Sequence, residues 1–167
     1  SGYSVSLSSD GTTVAIGAFG NDGTANGAGH VRVYSWNGSA WTKLGDDIDG
    51  EAAGDYSGYS VSLSSDGTTV AIGAFGNDGT ANGAGHVRVY SWNGSTWTQL
   101  GGDIDGEAAL DSSGSVSLSS DGTTVAIGAY NNDGSASNAG HVRVYSWNGS
   151  AWTKLGDDID GEAANDY

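Results

Sequence analysis

Carboxylates recur in this sequence in one short pattern, Asp47-Ile48-Asp49-Gly50-Glu51, which returns as Asp103-Ile104-Asp105-Gly106-Glu107 and Asp158-Ile159-Asp160-Gly161-Glu162. Several carboxylate oxygens, with a glycine that lets the chain wrap, could hold a hard cation such as calcium. The spacing matches no complete ligand loop, so a solvated acidic loop is the better reading, and calcium is the only cofactor the pattern raises. Asn37-Gly38-Ser39, Asn93-Gly94-Ser95 and Asn148-Gly149-Ser150 are Asn-x-Ser acceptors for N-linked glycan. The same Asn-Gly pairs are also what a tight turn with positive φ demands, and the two readings stand side by side.

Six tryptophans, Trp36, Trp41, Trp92, Trp97, Trp147 and Trp152, could stack on sugar rings. Large apolar area covering the outer edge of a thin core is the more economical use. His30, His86 and His141 each follow a glycine and lie too far apart to share a metal unless all three reach the axis, and a structural strand-start role is the better reading. Arg32, Arg88 and Arg143 sit inside the same segments and are expected to pair with carboxylates of a neighbouring unit. No unlike Ser, His and Asp can be brought into one cluster, and the glycine-rich 20–29 has no lysine and no following helix to make a phosphate cradle. The sequence therefore nominates no catalytic residue.

Composition narrows the partners. Five basic against twenty acidic residues give a net charge of −15, the wrong sign for nucleic acid or an anionic membrane surface. No run approaches the ~18 apolar residues that suggest a membrane span. There is no cysteine, hence no disulfide framework and no thiolate site. The absence of an initiator methionine points to a processed chain or a segment of a longer one.

The elements that must position these residues come from internal repetition, which decides the fold. Residues 1–39 recur letter for letter as 57–95, and across the 56-residue unit only five positions differ, among them Lys43/Gln99, Gly54/Leu110 and Tyr56/Ser112. The third unit lacks a counterpart of Tyr3 and Tyr59 and replaces Phe19 by Tyr130. The units are 1–56, 57–112 and 113–167. Joining Tyr167 to Ser1 would reproduce the internal junction around Asp55-Tyr56-Ser57, as expected of a piece of a tandem array or of a protomer whose end docks on the start of its neighbour.

Within a unit, Ser4 to Ser8 alternates polar and apolar with period two and reads as a strand. Asp10-Gly11 marks a type I′ hairpin, Thr13 to Ala18 a second strand, and 20–29 a flexible loop. His30 to Trp36 is a third strand, Asn37-Gly38 a second hairpin and Ala40 to Leu44 a fourth strand, leaving 45–56 as an acidic connector. No segment has a helical apolar period. Four antiparallel strands per unit, repeated, describe β-propeller blades: an all-β chain of three blades, with the ring completed by another chain or by further blades. An up-down-up-down blade sends the two hairpins to one end and the loop and connector to the other. That arrangement gathers 17 of the 20 acids, Asp166 included, at the connector end.

Asp55-Tyr56-Ser57-Gly58, Val61-Ser62-Leu63-Ser64 and Val70-Ala71-Ile72-Gly73-Ala74-Phe75, with His86 to Ser95 and Trp97, resemble the FG-GAP repeat of integrin-α-like propellers and its microbial and algal surface-protein relatives. Ser1, Ser57 and Ser113 stand where that family has Phe, and Phe19, Phe75 and Tyr130 where it has Pro. The family's calcium loop is reduced here to Ser8-Ser9-Asp10-Gly11, with one carboxylate, and is not carried over. The resemblance implies a non-catalytic, extracellular or cell-surface module for adhesion or assembly. Its partners would be copies of itself, neighbouring repeats of a longer array, or an extracellular protein or glycan.

Overall fold

The structure, a computed structural model, describes residues 1–165. Asp166 and Tyr167, which belong to the predicted connector and unit boundary, lie outside the described residues. Among the described residues every regular element is a strand. In the first unit these are β1 (Val5–Leu7), β2 (Thr13–Ala18), β3 (His30–Trp36), β4 (Trp41–Lys43) and β5 (Ile48–Asp49). The second unit carries β6 (Ser60–Leu63), β7 (Thr69–Ala74), β8 (His86–Trp92), β9 (Trp97–Gln99) and β10 (Ile104–Asp105). The third carries β11 (Ser113–Leu118), β12 (Thr124–Ala129), β13 (His141–Trp147), β14 (Trp152–Lys154) and β15 (Ile159–Asp160). Each unit forms its own antiparallel sheet in meander order, and the three sheets make an open arc of propeller blades.

The fourth strand is longer than the alternation in the sequence shows, and it is broken. Trp36 pairs with Trp41 and Tyr34 with Lys43, whereas Val31 pairs with Ile48 and His30 with Asp49. Residues 44–47 thus face only two residues of β3, and this bulge carries Gly45 at φ +69°. The connector of the sequence reading therefore begins after Asp49, because Ile48 buries its side chain against the sheet and extends the ladder.

The hairpins also differ from the type I′ expectation, since only their glycines have positive φ. The Asn37 side-chain oxygen instead accepts from the backbone of Ser39 and Ala40, closing a four-residue loop. Asp10 likewise accepts from Ser8 Oγ and the Thr12 amide. Asparagine and aspartate are present as local acceptors, and glycine alone supplies the left-handed turn. The glycine-rich loop is tied down rather than free. The Gly27 amide donates to Asp22, the Gly29 amide to the Asn21 carbonyl, and Thr24 Oγ1 to the Gly50 carbonyl.

Candidate functional site at the blade junctions

Most of the residues singled out by type and spacing meet where one blade packs on the next. On the inner side the strands β1, β6 and β11 lie side by side. Their serines are the polar teeth of the contact. Ser6 Oγ accepts the Leu63 amide at 2.9 Å and Ser62 Oγ the Leu118 amide at 2.9 Å, while Ser4 Oγ donates to the Gly58 carbonyl at 2.8 Å. Backbone bonds from Ser9 to Ser65 and from Ser65 to Ser120 continue the row. A Cβ on Gly17 would overlap the Gly58 carbonyl, so glycine in β2 is what lets the next blade approach.

Behind the serines, Val61 and Leu63 of blade 2 bury against Ala15, Val31 and Val33 of blade 1. Val116 and Leu118 repeat this on Ala71, Val87 and Val89. Further out, Trp97 Nε1 donates to the Leu44 carbonyl at 3.0 Å and Trp152 Nε1 to the Leu100 carbonyl at 2.9 Å. Four of the six tryptophans thus have a place at a junction, for Trp92 and Trp147 lie against Gly45 and Gly101 of the preceding blade. Trp36 and Trp41 have no such neighbour and remain exposed.

Two of the three arginines pair across a junction as their mid-strand position predicted, and Arg32 does not. Arg88 reaches the preceding blade, donating to the Asp49 carbonyl at 2.8 Å and lying 3.3 Å from Glu51. Arg143 does the same with the Asp105 carbonyl at 3.1 Å and Glu107 at 3.0 Å. Arg32 has no preceding blade and turns to Asp47 of its own blade at 2.8 Å. Together with Lys43 it holds the Asp47 carboxyl well below the usual carboxylate range.

The carboxylates of the candidate calcium pattern do not converge as a set. Asp47 and Asp49 gather at His30, Asp103 joins His86 together with Glu51 of the preceding blade, and Asp158 joins His141 together with Glu107. Asp105, Asp160 and Glu162 stand outside these groups among the described residues. The split has a physical cause: Asp47 and Asp49 flank Ile48, which sits in the sheet, while Glu51 lies beyond the strand end and crosses to the next blade. The histidines are buried at the head of β3, β8 and β13, and burial in the sheet pushes His30 and His86 down from the ordinary imidazole value. No sequence signal placed a histidine with a carboxylate of another unit, although each histidine directly faces Asp49, Asp105 or Asp160 across the broken strand. Asn37, Asn93 and Asn148 lie on exposed hairpin tips.

The junction surfaces do not end with the two complete junctions. Val5 and Leu7 on the leading face of blade 1 are exposed, unlike Val61 and Leu63. On the trailing face of blade 3, Leu155 is exposed, and Val142 and Ile159 are exposed around an open depression of about 310 Å³ that also takes in Gly128 and Ala129. No helix among the described residues is long and apolar enough to cross a membrane.

Comparisons with known proteins agree with this architecture. None of the curated proteins compared matches the sequence. Among solved structures the chain is similar to two candidate 6-phosphogluconolactonases. The one from Bacteroides uniformis shares 12% identity at a TM-score of 0.65, over 98% of this chain and 42% of that one. The one from Bacteroides fragilis shares 13% at 0.61, over 95% and 38%. Saccharomyces cerevisiae Sqt1 shares 14% at 0.59, over 96% and 35%. The chain spans about two-fifths of the length of the first two, and at such identities the likeness shows the propeller fold alone. Residues 48–90, running from the second half of one blade's broken fourth strand into the third strand of the next, match the FG-GAP repeat. Residues 104–145 repeat that matched stretch almost unchanged, and the architecture is that of a β-propeller repeat module.

Proposed function

We propose that this chain is a non-catalytic structural or adhesive module acting outside the cell or at its surface, assembled through blade-to-blade contacts. The observation that supports it is the repetition of one junction. Two copies of that junction are complete within the chain, and its two halves are left uncovered at opposite ends. Val5, Leu7, Arg32 and Trp41 are the residues a preceding blade would receive, and Leu155, Ile159 and Glu162 are those a following blade would cover. A further blade of the same kind fits both, and for the 167-residue chain alone it comes from a second copy, two chains making a six-bladed ring. The contact is head-to-tail, and it closes once the rotation is complete. The extracellular placement rests on the FG-GAP resemblance.

Light scattering on the purified chain tests the assembly. Twice the 16.7 kDa chain mass is expected, and a compact monomer would overturn it. A glycan-binding reading is favoured by one observation, the exposed Trp36–Trp41 pair with ring centroids 5.6 Å apart. Array binding that is lost on changing Trp36 would establish it in place of the structural role.

A further inference from the structure

We propose that the junction between blades 1 and 2 is a binding site for a divalent transition-metal ion of the zinc class, held by His86 and Asp103 of one blade and Glu51 of the other. Their ligand atoms lie within 4.8 Å of one another. The imidazole is the independent sign of a missing partner. His86 is 1% exposed, and neither ring nitrogen has a hydrogen-bond partner. A buried polar group left in that state is costly. Its nearest acid, Asp103, stands with Oδ2 3.5 Å from Nδ1, outside good hydrogen-bond range. Two donors each about 2.1 Å from one zinc ion at a tetrahedral angle are about 3.4 Å apart. The gap thus suits a bridging ion better than a direct bond.

The donor set fixes the class of ion. One imidazole with two carboxylates suits zinc, cobalt, nickel or manganese, whereas calcium takes six to eight oxygens. Two carboxylates offset the ion's charge, and an open fourth position would be left to water. Arg88 engages Glu51 through Oε1, so Glu51 would bridge the guanidinium and the ion.

One difference between the units singles out this junction. Lys43 and Arg32 both bind Asp47, and Lys154 binds Asp158, placing ammonium charge on the carboxylate that would serve as ligand. In blade 2 the corresponding residue is Gln99, whose neutral amide donates to Asp103 Oδ1 at 2.7 Å. That bond orients the carboxylate and leaves Oδ2 toward His86. At His141, Glu107 and Asp158 provide the same cluster, with Lys154 as the obstacle. At His30 the cluster draws only on its own blade.

The test uses the whole chain, stripped with chelator and titrated at neutral pH with zinc by calorimetry and with cobalt by visible absorption. One site per chain is expected to fill first. His86→Asn should abolish that site. Glu51→Gln should weaken it, and Gln99→Lys, which installs the residue blades 1 and 3 already carry, should weaken it about ten-fold or more, as loss of an orienting partner does. Lys154→Gln should add a second site of similar affinity. Absence of zinc binding at micromolar concentrations overturns the proposal. So does binding that is unchanged in His86→Asn or in Gln99→Lys.

Discussion

Leu7 provides the sharpest test of the end-face assembly because it is the same residue in two environments within one chain. It is 57% exposed at the leading face, whereas its equivalent Leu63 is 7% exposed inside a junction. Val5 and Val61 differ in the same way, at 64% and 8%, and so do Ile159 and Ile48, at 62% and 6%. Covering such a residue removes about half of its exposure, or roughly 1 kcal/mol where full burial is worth about 1.5–3 kcal/mol. A closed pair contains the Leu7 contact twice, so Leu7→Ala should cost the dimer about 2 kcal/mol, or roughly 30-fold in dissociation constant. Leu7→Asp adds the cost of burying a carboxylate in apolar surroundings, several kcal/mol per site, and should give monomer throughout a sedimentation-velocity concentration series. Because Leu7 is exposed in the single chain, both variants should keep the wild-type β-sheet circular dichroism. Leu63→Asp is the contrast, since it disrupts an internal junction and should lower the melting temperature. Equal dimer stability in wild type and Leu7→Asp would refute the assignment of this face.

Other outcomes follow from individual contacts. Arg32→Glu and Glu162→Arg should each weaken the pair, and the double variant should recover much of it, because the Arg88–Glu51 contact would be re-formed with its charges exchanged; sedimentation of the three variants reads this out. Asp10, Asp66 and Asp121 are held below the ordinary carboxylate value by hairpin donors, first by the Thr12 amide, the Thr68 amide and Ser119 Oγ respectively, and Asp121 falls to about 2. A lowered folded-state pKa gives stability that is present above about pH 4 and lost as pH falls toward about 2. The triple Asn variant, which cannot titrate, should lose less of its melting temperature over that interval, and an identical loss would contradict the hairpin's part in it. Leu110 sits at φ +69°, where blades 1 and 3 carry Gly54 and Asn165. Leu110→Asn should raise stability by about 1 kcal/mol through relief of left-handed strain, measured by chemical denaturation.

What could be read without coordinates was whatever repeats locally. Period-two alternation in Ser4 to Ser8 and His30 to Trp36, punctuated by Asp-Gly and Asn-Gly, carries the blade because strand and turn chemistry act within a few residues. Mid-strand Arg88 and Arg143 signalled cross-blade pairing for a similar reason, since a charge inside a packed strand needs a partner. The second half of the fourth strand was hidden by the 44–47 bulge, which destroys the alternation just before Ile48 rejoins the sheet. The hairpin geometry was misread because Asn37 works through its side-chain oxygen and its own φ is not positive. The grouping of His86 with Glu51 and Asp103 was illegible, as it depends on which blade supplies each carboxylate, and no spacing along the chain encodes that.

The serine row, the aliphatic patch and the arginine contact each join one set of residues in a unit to a different set in the next unit, so each junction has the same two sides. Insertion or loss of a whole unit, as by recombination between near-identical repeats in a gene, would therefore leave every remaining junction with its serine, aliphatic and arginine contacts. Blade number in such an array is set by how far the arc must turn before its ends meet, and it can change in single steps without any new contact having to evolve.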